Sequence, residues 1–367
     1  MKHHPANERI KREYFSYLKE ARGRDEATID GVAKALARFE ASTGRKDFKK
    51  LHREQAKAFK RQLGEQHNAR TGERLSKATM HSTLRYCRDF FMWLAREPGY
   101  RSRISYSDAD YFSLSDKDIA IATAKREKTF PTLSQVELVL SVMPADSAIQ
   151  RRDRALIALA MLTGARVGAL ASFRLHDVNV EQRYVDQDAR HVRTKFSKTF
   201  RTYFMPVSEA AETIVSDWHA ELSADVTRSR HAPLFPATAL AVDENGAFAA
   251  AGLAIEGWRG TGPVREIFRR AFALVSLPYF NPHSFRDMLV HHAMSLNLPA
   301  EQMKAWSQNL GHSDLLTTLN SYGQVPTHRQ GDLIRAAQHR DLPRSVHIST
   351  LESLLADLKG RSDSALR

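Results

Sequence analysis

Two short motifs place basic side chains at helix starts, where an anion is favoured. In NPHSFR, His283 and Arg286 stand three residues apart, on one face of any helix that begins there. Asn281 and Pro282 read as the N-cap and first helical residue, which puts both side chains in the first turn. That turn offers unpaired N–H groups and the positive end of the helix dipole, a natural phosphate site. Arg166 repeats the arrangement, since it follows the break at Thr163-Gly164 and opens the next helix. A third motif, NLGH, ends a helix at Gly311 and leaves His312 in the turn, with Tyr322 ten residues on. By itself, His312 equally fits a turn cap and Tyr322 a core filler.

These residues need elements to hold them, and apolar spacing supplies the outline. Residues 1–100 read as helices: Ile29, Val32, Leu36 and Phe39 form one stripe, and Ala56, Phe59 and Leu63 a second. Met80, Leu84, Cys87, Phe91 and Leu94 form a third, in which Cys87 is a small core residue. Pro98-Gly99 stops that helix, and the polar stretch 101–129 reads as a linker. A second domain, 130–345, opens with a helix start at PTLSQVELVLSVM. Ala155 to Leu162 is apolar all round and reads as a buried helix. Tyr184 to Val207 carries β-branched and aromatic residues around a polar break at FSKT, which predicts strands and a hairpin. Asp243 to Gly262, rich in Gly and Ala, reads as a loop insertion. Further helices are expected from Pro263, Pro282, Pro299 and Ser313. The fold class is mainly α with a small β-sheet, or α+β. A tail, 346–367, holds a short helix with Leu351, Leu354, Leu355 and Leu358 on one side.

Charge narrows the partner. The 367-residue chain carries a net +13, of which residues 1–129 hold +11, from 29 Lys+Arg against 18 Asp+Glu. The remainder is close to neutral, at +2. A basic first domain joined to a near-neutral second one points to a polyanion, double-stranded DNA. The charged N-terminus lacks a signal-peptide core, and no apolar run is long enough to span a bilayer. The single cysteine excludes an internal disulfide and fits a reducing cytoplasm. HExxH and CxxC spacings are absent, as is a Walker sequence, so neither a metal nor a nucleotide cofactor is expected.

Taken in chain order, TGARVGAL, TKFSKT, HSFR, LGH and the tyrosine resemble the tyrosine recombinase (phage integrase) family. The resemblance spans Phe130 to Tyr322 and, more loosely, the helical region 10–100, which looks like that family's core-binding domain. It implies a site-specific recombinase that cuts and rejoins DNA through a 3′-phosphotyrosyl intermediate, integrating or excising a mobile element. Arg166, Lys195, His283, Arg286 and His312 fall on the family's catalytic positions, and Tyr322 falls on the nucleophile. Two arginines can each grip the phosphate bidentately, and preorganised donors of this kind give roughly 3–4 kcal/mol each. A tyrosine hydroxyl, with a free pKa of about 10, needs such a cationic setting to attack. The lysine would protonate the leaving 5′-oxygen, a role for which Lys198 competes with Lys195. The resemblance further implies a homo-tetramer on paired DNA sites, an accessory directionality factor and a cytoplasmic, nucleoid-associated enzyme. The tail helix would dock on a neighbouring protomer.

The chain departs from the family pattern twice. Ala169 stands where a glutamate is usual, three residues after the first arginine. The His312-to-Tyr322 interval is ten residues where nine is usual, although no later tyrosine competes. A type IB topoisomerase or telomere resolvase would share the same catalytic set. A catalytically silent DNA-binding regulator on this fold is the reading that the two departures favour.

Overall fold

The computed structural model describes residues 3–312, apart from Arg70, residues 125–128, Asp243, Asn245 and Asn297. Tyr322 and the tail at 346–367 lie outside the described residues. The chain divides into two compact units, Met1–Arg126 and Glu127–Arg367.

The first unit is helical: α1 (Pro5–Ser16), α2 (Glu26–Ser42), α3 (Arg53–Glu65), α4 (Lys77–Leu94), and the short α5 (Tyr106–Ala109) and α6 (Asp116–Thr123). Side chains begin the longer helices, with Asp25 accepting the Thr28 N–H for α2 and Ser76 the Thr79 N–H for α4. The core is largely aromatic. Phe39 meets Phe59, Phe91 and Phe112 edge to face, with ring centroids 5.3, 5.1 and 5.4 Å away. Cys87 is fully buried in the α4 stripe, and burial pushes its thiol pKa up. The polar stretch from residue 101 is more than a connector. It carries α5 and α6, and its sparse apolar residues Ile104, Ala109, Phe112 and Leu114 are all buried in this core.

The second unit opens with α7 (Leu133–Val142), where Thr132 and Gln135 form a reciprocal capping box. Next is α8 (Ala148–Thr163), fully buried from Ala155 to Leu162 as its unbroken apolar run requires. The one-turn α9 (Val167–Leu170) leads to an antiparallel sheet of β1 (Val178–Asn179), β2 (Tyr184–Gln187) and β3 (Phe200–Tyr203), in that order. Register places Val185 opposite Thr202 and Gln187 opposite Phe200, so the polar break at FSKT lies in the β2–β3 connection. α10 (Glu209–Ala224) packs on α8.

The Gly/Ala-rich segment expected to be a loop is instead paired. β4 (Pro236–Val242) and β5 (Phe248–Gly257) form a second antiparallel sheet, with Leu240 opposite Ala250. Alanine and glycine carry little strand preference, so pairing rather than propensity makes this hairpin. Three helices close the described chain: α11 (Gly262–Ala273), α12 (Ser284–Ser295) and α13 (Ala300–Asn309). Among the described residues no helix is long and apolar enough to cross a membrane.

Candidate active site

The site is assembled from three chain reversals, each fixed by a local rule. The first ends α8. Gly164 takes the left-handed conformation, φ +57°, and its N–H closes on the Ala160 carbonyl at 2.8 Å. A side chain there would sit 3.0 Å from both Leu289 and Leu310, so glycine is also needed for the close approach. The reversal delivers Arg166 as the N-cap of α9, half-buried. Burial lowers the pKa of its guanidinium, and among the described residues it has no carboxylate partner.

The second reversal precedes α12. The sequence expectation of Asn281 as N-cap needs correction: His283 holds that position and the helix starts at Ser284. Asn281 still acts as a cap two residues outside, since its side chain accepts the His283 N–H at 2.9 Å. Arg286 is thereby the third helical residue, in the first turn as its spacing predicts, but its side chain is buried. It is 4% exposed, on the face that also buries Leu289, Val290 and Ala293. Its guanidinium donates to the Gly164 carbonyl at 2.8 Å and to the Leu310 carbonyl, tying the ends of α8 and α13 together.

The third reversal ends α13. Gly311 has φ +70°, and the bonds Gly311 N–H to Gln308 O (2.7 Å) and His312 N–H to Ser307 O (3.2 Å) form a Schellman motif. A side chain on Gly311 would fall 2.6 Å from the Phe200 ring of β3. This packing sets the histidine. Arg286 Nη2 lies 3.0 Å from His312 Nε2. A guanidinium can only donate, so Nε2 accepts and the ring is neutral with its proton on Nδ1. Electrostatics agree: burial first, then Arg286, Arg166, His283 and Lys198, push the His312 pKa down to about 4. Burial and Arg166 push Arg286 down to about 9, partly offset by Asp287. The pocket is thus strongly positive and has no carboxylate at the usual glutamate place, where Ala169 is buried.

Arg166, Arg286, His312 and His283 are therefore brought together, and Lys198 is within electrostatic reach. Lys195 is placed differently. Its ammonium stands 4.7 Å over the Phe196 ring, in a turn where Phe196 and Ser197 both adopt positive φ and Phe196 is 80% exposed.

Two positioning residues escape motif reading. Asn309 pairs with β3 like an extra strand: its Oδ1 accepts the Tyr203 N–H at 2.7 Å and its Nδ2 donates to the Tyr203 carbonyl at 2.9 Å. Arg193 pins the base of the lysine turn by donating to the carbonyls of Ala171 (3.0 Å), Trp258 (3.1 Å) and Arg259 (2.8 Å). Asn309 opens the NLGH motif and was visible there, whereas nothing local marks Arg193.

Comparison with known proteins shows the family and the fold. The model of the Phage integrase family matches residues 131–329. Tyrosine recombinase XerC of Xylella fastidiosa (strain M23) is 22% identical over 325 residues, covering 87% of this chain and 92% of that one. XerC of Xanthomonas campestris pv. campestris (strain B100) is 23% identical, covering 88% and 82%. Among solved structures, a lambda integrase fragment bound as a dimer to a core site superposes with a TM-score of 0.59 at 13% identity, covering 87% and 97%. The Tn1549 transposon integrase in complex with transposon right-end DNA gives 0.56 at 16% identity, covering 89% and 99%. At such identities the structures speak for the fold.

Proposed function

This chain belongs to the phage integrase family of DNA-breaking and rejoining tyrosine recombinases, and we propose that its strand cleavage runs through Arg166, His283, Arg286, His312 and Tyr322. The observation that carries the reading is the cationic pocket in which Arg286 holds both chain reversals and the His312 ring. A scissile phosphate is an anion that such a cationic pocket suits. Arg166 and Arg286 take its non-bridging oxygens, with His283 as a further donor.

Tyr322 attacks the phosphorus, its oxygen becomes bonded there, and the bond to the 5′-oxygen breaks. His312 takes the tyrosine proton. In the free protein its Nε2 lone pair is engaged by Arg286, and a phosphate that recruits that N–H frees the lone pair while its charge raises the ring's basicity. A lysine of the β2–β3 turn protonates the leaving oxygen. Lys195 is our assignment by motif position. Lys198 is the second reading, favoured by its reach to His312. Rejoining is the same exchange in reverse, with the energy of the broken strand kept in the phosphotyrosyl bond.

The wider reading is a recombinase that works as a homo-tetramer on paired sites and moves a mobile element, with an accessory factor setting direction. The Tn1549 integrase likeness supports the mobile-element part. Tyr322→Phe tests the mechanism. It should bind a nicked suicide substrate normally and form no covalent adduct on denaturing gels, whereas persistent adduct would move the nucleophile elsewhere.

A further inference from the structure

Away from the phosphate pocket, two imidazoles converge on one buried carboxylate. Asp177 ends the turn Leu175–Asp177 ahead of β1, with its side chain 2% exposed. Its Oδ2 accepts the Arg174 N–H at 2.7 Å, while Oδ1 faces His191 Nε2 at 2.6 Å and His176 Nε2 at 3.4 Å. Asp186 and Asp188 line the same cleft, but Arg201 and Arg190 already pair with them. Among the described residues, Asp177 has no ion-pair partner other than these two histidines.

The tautomer of His176 is fixed from behind. Its Nδ1 is 2.9 Å from the Arg230 carbonyl, which can only accept, so Nδ1 carries the proton. In the neutral ring, Nε2 then turns a lone pair toward the carboxylate oxygen. Two lone pairs facing each other repel unless a cation lies between them. A ring N–H bonded to a backbone carbonyl is also how proteins orient a metal-binding imidazole. The three ligand atoms lie within 4.8 Å of one another. Tetrahedral bonds of about 2.0–2.1 Å would hold them about 3.3 Å apart, so the His176–Asp177 distance already fits and the remaining pairs need ring shifts of up to about 1.5 Å.

We propose that His176, Asp177 and His191 bind one divalent transition-metal ion of the zinc class. Two imidazoles and one carboxylate suit zinc better than magnesium or calcium, which prefer oxygen ligands throughout. Water fills the remaining position, or His231, whose ring stands edge-on 4.7 Å from His176. The ion would join the turn before β1 to the β2–β3 connection, only four residues before Lys195. It is a structural staple at the base of the lysine turn, and it stands apart from the catalytic roles proposed above.

The test reads binding and not recombination. Full-length protein without an affinity tag, stripped with a chelator, is titrated with zinc chloride by calorimetry near neutral pH, and with cobalt(II) by visible absorption. One tight equivalent with a tetrahedral cobalt spectrum is expected, together with a rise in Tm on adding zinc. His176→Gln leaves the Asp177–His191 hydrogen bond in place, which guards against misfolding, and should weaken that equivalent by at least about tenfold. His191→Gln should do the same, and His52→Gln, at an exposed histidine of the first unit, should change nothing. Absence of a saturable equivalent in the wild type, or equal affinity in His176→Gln, overturns the proposal.

Discussion

At the scale of single residues, Arg286 is both a phosphate ligand in our reading and a pin for the fold. Arg286→Ala removes the donor to two buried carbonyls, Gly164 and Leu310, and opens a hole beside Leu289. A loss of about 2–4 kcal/mol in urea unfolding is expected, on top of lost cleavage. Arg166→Ala should abolish cleavage with stability close to wild type, because burial already disfavours a charge that has no carboxylate partner among the described residues. Equal stability of the two variants would refute the pinning role. The HxxR spacing is legible in the sequence but the depth of Arg286 is not, because Asn281-Pro282 marks only a helix start, whereas the burial comes from the stripe of Arg286, Leu289, Val290 and Ala293. His312 adds a pH dependence. Its folded pKa of about 4 lies below the ordinary histidine value near 6.5, so the unfolded chain binds the proton more readily. Its contribution to stability is therefore complete above about pH 6.5 and lost as pH falls toward 4. Unfolding measured at pH 7 and pH 5 should show a steeper loss for the wild type than for His312→Gln. Matching slopes would mean that the ring is not held neutral.

At the scale of elements, the active site depends on β3 seated beneath the α13 terminus. Phe200 fills the space that Gly311 leaves open, and Asn309 bonds the next turn of strand through Tyr203. Strands flanking FSKT were legible because β-branched and aromatic residues cluster there. The β4–β5 hairpin was not, because β5 opens with the run Phe248-Ala-Ala-Ala-Gly252, whose small residues show no alternation and little strand preference. The arrangement also sharpens the question of the lysine. Lys195 and Lys198 lie on opposite sides of a turn whose Phe196 and Ser197 have positive φ, so one turn cannot present both equally. A 5′-bridging phosphorothiolate substrate has a leaving group that needs no proton. It should restore cleavage to Lys195→Ala and give no special gain to Lys198→Ala. Rescue of Lys198→Ala alone would exchange the two roles, in line with the field of Lys198 at His312.

At the scale of the whole molecule, charge and packing divide the labour. Each unit has its own apolar core, aromatic in the first and centred on α8 in the second. The two cores were legible from helical stripes, whereas the end of the first was not, because Phe112 and Leu114 are isolated apolar residues in a polar stretch. The excess charge lies in the first unit, and there it frames an aromatic surface. A cleft between α1, α2 and α4 is lined by Tyr14, Tyr17 and Trp93 together with Arg22, Arg24, Arg85 and Arg96. Arg85 also stacks over the Tyr86 ring, its guanidinium carbon 5.3 Å from the centroid, which holds the charge outward at little entropic cost. Such a surface would meet phosphates, and phosphate contacts announce themselves through salt. Each contact to duplex DNA adds about 0.9 to the slope of log affinity against log salt, because a condensed counterion is released. Arg85→Ala and Arg96→Ala should therefore each weaken binding to specific and random duplexes alike, and each should flatten that slope by about 1. Fluorescence anisotropy across a salt series, with Tyr322→Phe as the background to prevent cleavage, supplies the measurement. If affinity falls for one sequence only while the slope holds, the arginine reads bases. If neither changes, the positive charge of the first unit grips DNA through another face.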